Sequence, residues 1–169
     1  MLDFSNFSKL ENLTRLVQED LLILEKENNN FFLKGGILCF PAAWSFNEKI
    51  NKNLFNIHLP VNEYDENIGS KVERMFLNLL PYRTIWRANW LLFDKYDLYQ
   101  PTKQEKKDVI KRIKKSKFIR VEKQTITKFN SKEGILFTIH TYVLPIKKLT
   151  DQQLLDLNQE VSKKYKIKI

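Results

Sequence analysis

The sequence predicts an α+β fold, an antiparallel sheet of five strands with helices packed on one face, and three observations predict it. Two apolar runs flank an asparagine triplet at residues 28–30, the pattern of a hairpin. An amphipathic stripe ending at Pro81 marks a helical middle. Three alternating segments then lead to a capped C-terminal helix. With 169 residues, 43% of them hydrophobic, the chain has enough apolar matter for one domain with a sizeable core.

Each element follows from local pattern. In residues 7–17 (FSKLENLTRLV), Phe7, Leu10, Leu13 and Val17 are spaced for one face of a short leading helix. Residues 17–27 and 31–40 read as the hairpin strands, and Pro41 ends the second. Residues 42–50 read as a short helix with Trp44 near its start, and residues 53–64 as irregular, with Pro60 interrupting any ladder. Ile68, Val72, Met75, Phe76, Leu79 and Leu80 form the helical stripe. Residues 84–93, 117–129 and 134–146 read as strands, the last two joined by a turn through Asn130, Ser131, Lys132 and Glu133. Residues 150–164 form the closing helix, capped by Thr150 or Asp151. Two strands, a helical middle and three strands give the topology of a PAS-type domain, a single domain over residues 1–169. Such a layout commonly holds a small ligand between sheet and helices, although fold alone does not decide function.

Composition excludes several classes. Four glycines leave no room for a phosphate-cradling loop, and no Walker or dinucleotide fingerprint occurs. A lone cysteine, Cys39, supports neither an internal disulfide nor a cysteine cluster for zinc or iron–sulfur, so the cytoplasm is the expected compartment. No run of 18 apolar residues predicts a membrane span. The net charge of +9 is concentrated: residues 101–150 carry 14 basic and 4 acidic side chains. Within them, residues 103–120 form a lysine-rich insert almost without aromatics, which reads as a solvated helix or a docking face for an acidic partner rather than a nucleic-acid platform.

A period of two sorts the strand residues by face. Arg120, Glu122 and Gln124 share one face of the fourth strand with Phe118 and Ile126, while Arg87 and Asn89 share a face of the third with Ile85 and Leu91. In the fifth, Thr138, His140 and Tyr142 oppose Ile135, Phe137, Ile139, Thr141 and Val143. Polar rows of this kind either face solvent on a half-exposed sheet or line a small-molecule pocket. The two histidines, His58 and His140, lack the companions that zinc requires, but haem iron needs only one axial side chain.

Seven strings lift the pattern above the generic: LVQEDLLILEK, LCFPAAWSFNEKI, IHLPV, KVERMFLNLL, WRANWLL, RVEKQTI and FTIHTYVLP. In order and approximate spacing, from about Leu16 to Leu149, they resemble the haem subunit of haem-dependent oxidative N-demethylases. The resemblance implies a PAS-like domain holding haem b, which uses O2 to remove a methyl group from a small secondary amine and releases formaldehyde. It further implies His58 as the axial iron ligand. Arg87, Asn89 and Gln124 would line the cofactor pocket, an arginine pairing a propionate in fork geometry. Glu122 would hold an ammonium group or relay a proton, with Arg120 beside it in a catalytic or a purely structural pair. Electrons would come from a separate reductase carrying flavin and an iron–sulfur centre. The chain departs from the family pattern where His140 and Lys123 stand in place of arginines, and only about 15 residues precede the LVQED string where the family has a longer stretch. The alternative is a PAS-like haem or small-ligand sensor without catalysis.

Overall fold

The computed structural model describes residues 12–59 apart from residue 14, together with 64–102, 109–129 and 134–166. The chain builds β1 (Glu19–Glu27), β2 (Asn30–Ile37), α1 (Leu54–His58), α2 (Glu66–Asn78), β3 (Thr84–Phe93), α3 (Val109–Lys115), β4 (Phe118–Lys128), β5 (Gly134–Pro145) and α4 (Asp151–Tyr165). The five strands form one antiparallel sheet in the order β2-β1-β5-β4-β3. The expected α+β architecture is therefore the observed one. The leading helix expected over residues 7–17 lies largely outside the described residues, as does the turn at 130–133.

Asparagine chemistry closes the first hairpin. Asn28 adopts a φ of 56°, a left-handed conformation that asparagine tolerates, and Glu27 then pairs with Asn30. Further along the pair a bulge leaves Lys34 unmatched, and Gly36 takes a φ of 141°. A Cβ at Gly36 would lie 2.2 Å from the Leu21 carbonyl oxygen, so only glycine fits the close strand approach.

Two local expectations are corrected. Residues 42–50 form only the 3-10 turn Phe46–Glu48, because Ala42 bridges to Gln100 and Ala43 holds a φ of 62°, which keeps this backbone out of a helix. Residues 54–58, expected to be irregular, form α1, whose first turn is capped when the Asn53 side chain accepts the Asn56 N–H at 2.9 Å. The stripe of α2 is also only partly inward. Phe76 is buried and Val72, Leu77 and Leu79 pack against the core, whereas Ile68, Met75 and Leu80 are exposed.

The sheet's inner face carries Leu24, Ile126 and Ile135 against Leu54, Phe31 and Phe76, so α1 and α2 cover it. A neighbouring patch joins Leu22, Leu33 and Ile139 to Trp44, Phe46, Ile50 and Ile57. The expectation that helices share one face holds for α1 and α2 but not for α3 and α4. Trp90, Leu92 and Ile119 alternate to the outer face, and that apolar patch is covered by Ile113 of α3 and by Leu157 and Val161 of α4. Thr150 caps α4 through a reciprocal capping box with Gln153.

Candidate functional site

Beside its apolar clusters the inner face carries a polar row centred on β4, with Asn89 of β3, Thr141 of β5 and Asp20 of β1. Cross-strand register places Arg87 beside Gln124, Asn89 beside Glu122, and Glu122 beside Thr141. Alternation along β4 turns Arg120, Glu122, Gln124 and Ile126 inward together, and all four are buried. Asn89 is half-buried and Arg87 exposed. The polar row suspected from periodicity is therefore covered at Arg120, Glu122 and Gln124, half-covered at Asn89 and open at Arg87.

Arg120 engages four of its five N–H donors. With 1% exposure, it donates from Nε to Glu122 Oε1 at 3.0 Å, from Nη1 to the Leu98 carbonyl at 2.9 Å, and from Nη2 to Thr141 Oγ1 at 3.2 Å and to the Phe40 carbonyl. The guanidinium thus ties two loops, around Phe40 and around Leu98, to the sheet. Its Nε contact with Glu122 is also the buried ion pair of the site.

Asp20, which sequence reasoning left without a role, holds the other side of the Phe40 peptide. Its Oδ1 accepts the Cys39 N–H at 2.6 Å and the Phe40 N–H at 2.8 Å, while Oδ2 is buried without a partner among the described residues. Burial is the largest influence on this carboxyl and raises its pKa from 3.8 to about 6; the Cys39 and Phe40 amides and the Arg120 charge oppose the rise, and Glu122 adds to it. The signal for Asp20 was present in the sequence, since it shares its strand face with Leu22 and Leu24.

His58 closes the last turn of α1. Its Nδ1 lies 2.8 Å from the Leu54 carbonyl oxygen, and because a carbonyl only accepts, the proton sits on Nδ1 and Nε2 keeps its lone pair. Burial lowers the imidazole pKa below its ordinary value, the Lys49 and Arg87 charges lower it further, and the Leu54 carbonyl opposes them. A neutral ring with a fixed tautomer and a free Nε2 is the form that ligates iron. Arg87 connects this histidine to the polar row, for its charge acts on the ring while its Nε donates to Gln124 Oε1 at 2.8 Å.

His140 is on the opposite face. It lies 3.6 Å from Glu19 Oε1 and beside Tyr142, on the outer side of β5. Among the described residues no cluster of three or more His, Cys, Asp or Glu is placed to hold a metal ion. The lysines of α3, Lys111, Lys114 and Lys115, point to solvent. No helix among the described residues is long and apolar enough to cross a membrane.

The fold is thus α+β, a five-stranded antiparallel sheet on which β4 carries the buried polar side chains Arg120, Glu122 and Gln124. Residues 2–166 match the family model described as haem-dependent oxidative N-demethylase, alpha subunit-like. The chain belongs to that family.

Proposed function

We propose that this chain is a PAS-like haem-binding oxidoreductase domain, acting in the cytoplasm, in which His58 is the axial ligand of haem b. The tautomer of His58 carries the proposal: the Nδ1–H donated to Leu54 leaves Nε2 free and burial keeps the ring neutral. The strand order supports the PAS-type reading, and the family description supports the haem and the demethylation.

Haem, when bound, would supply the activation of O2. The balanced reaction turns a secondary N-methyl amine, O2, two electrons and two protons into the primary amine, formaldehyde and water. Because the sequence has no flavin, nicotinamide or iron–sulfur motif, the electrons come from a separate reductase, in keeping with a family described as an alpha subunit. In this reading Glu122 holds the ammonium group of the substrate or carries its proton. Arg120 acts through Glu122 as a positioning residue, since four of its five N–H donors are engaged by Glu122, Thr141 and two loop carbonyls. In the same reading Arg87, Asn89 and Gln124, neighbours across β3 and β4, line the cofactor pocket and Arg87 pairs a propionate.

The test is a haem titration followed by turnover. Wild-type protein is expected to develop a Soret band, His58→Ala to lose it or bind far more weakly, and His140→Ala to keep it. An unchanged spectrum in His58→Ala overturns the ligand assignment. Formaldehyde release from a methylated amine with O2 and a reductant distinguishes the demethylase from the second reading, a haem or small-ligand sensor that binds without turnover.

A further inference from the structure

Tyr64 has no part in the function proposed above, although it touches the residue on which that function turns. Its ring lies face to face with the His58 imidazole, 4.1 Å between centroids and 16° between planes. Gly69, buried on α2, lies beside the same ring, where a Cβ would make ordinary van der Waals contact with it at 3.4 Å. The hydroxyl is buried and has no hydrogen-bond partner among the described residues. It does not bond to nearby Glu73, whose two oxygens accept the Phe31 N–H at 3.4 and 3.2 Å. An orphaned buried hydroxyl is unfavourable, and a ligand acceptor would satisfy it.

Both neighbouring donors are available at neutral pH. The Tyr64 hydroxyl is a phenol, which keeps its proton at neutral pH. Arg87 spends Nε on Gln124, which leaves both Nη groups without a partner among the described residues. The positive charge of Arg87 acts on Tyr64 as well as on His58. Two donors, one neutral and buried and one charged and facing solvent, suit a carboxylate, whereas a cationic amine would be repelled by the guanidinium.

We propose that Tyr64 positions and completes the His58 site: its ring fixes the imidazole plane, and its hydroxyl joins the free end of the Arg87 guanidinium in binding a carboxylate of the ligand that His58 holds. The inference rests on the haem reading, in which that carboxylate is a propionate. The chain is titrated with haem and with haem dimethyl ester, which keeps the iron and the ring but lacks free carboxylates. Wild type is expected to prefer haem. Tyr64→Phe keeps the stacked ring and removes only the hydroxyl, so its affinity for haem is expected to fall about tenfold, the worth of one hydrogen bond to a charged acceptor, with affinity for the ester unchanged. Arg87→Gln, at an exposed position where folding is not at risk, is expected to narrow the same preference. Unchanged haem affinity in Tyr64→Phe, or equal loss for both porphyrins, overturns the proposal. Wild-type protein that binds both porphyrins equally through His58 overturns this inference alone, and protein that binds neither overturns the haem reading and this inference with it.

Discussion

Burial shifts His58 and Asp20 in opposite directions, and stability follows each with an opposite slope. The folded pKa of His58 lies below its ordinary value, so the unfolded chain binds the proton more readily, and stability is lost as pH falls below about 6.5. Asp20 rises from 3.8 to about 6, so between those values the folded chain holds the extra proton. Stability from Asp20 is fully present below about 4 and is lost as pH climbs to about 6, by an amount on the order of 1–3 kcal/mol. Asp20→Asn keeps an oxygen for the Cys39 and Phe40 amides while removing the titration. It is expected to flatten the decline between pH 4 and 6 and to be more stable than wild type above pH 6, as read by urea unfolding across that range; parallel profiles would exclude Asp20 as the source. Alternation made Arg120, Glu122 and Gln124 legible as a row in the sequence. It did not reveal that Asp20 meets two amides 19 and 20 residues away, nor that Tyr64 stacks on His58, because both contacts are made only when loops fold back over the sheet.

At the scale of elements, long periodic segments were readable and short ones were not. β3 was expected over residues 84–93 and spans Thr84–Phe93, because ten alternating residues carry several periods of signal. α1 has five residues, too few for an apolar stripe, and its one local cue was the capping residue Asn53. The loops around Phe40 and Leu98 carry no periodic signal, yet they are held by the side chain that β4 turns inward at Arg120. Removing that side chain orphans the Phe40 and Leu98 carbonyls and leaves Glu122 buried without its countercharge. Arg120→Met is therefore expected to destabilise the fold by about 3–5 kcal/mol in urea unfolding. Arg120→Lys is expected to recover little, since an ammonium on a flexible stem cannot reproduce a planar fork aimed at four acceptors in three directions. Near-complete rescue by lysine would show that charge alone, and not the fork, holds the loops.

For the whole molecule, the sheet separates two cores, and the candidate site belongs to only one of them. The inner core of Leu24, Phe31, Leu54, Phe76, Ile126 and Ile135 lies under α1, the helix that ends on His58. The outer core of Leu92, Ile113, Leu157 and Val161 lies under α3 and α4 and contains none of the site residues. The sequence pattern placed all the helices on one face because an amphipathic helix announces that it has an apolar side but not which face of the sheet receives it; the outer patch of Trp90, Leu92 and Ile119 decided that for α4. Separate cores predict separable defects. Leu157→Ala opens a cavity in the outer core and is expected to cost about 2–4 kcal/mol, while Phe76→Ala in the inner core is expected to cost about 3–5 kcal/mol. Below their melting temperatures the two variants should then diverge. Leu157→Ala keeps α1, the His58–Leu54 hydrogen bond and the polar row in place, so its haem affinity should match wild type within about twofold, a difference below 0.5 kcal/mol. Phe76→Ala removes the ring against which Phe31 packs edge-on at 5.4 Å, beside the Phe31 N–H that Glu73 accepts next to Tyr64, so its haem affinity should fall even while the protein stays folded. Haem titrations of the two folded variants, with circular dichroism to confirm the fold, decide the matter: equal loss of affinity in both would mean that the sheet transmits strain between its faces and does not insulate the site.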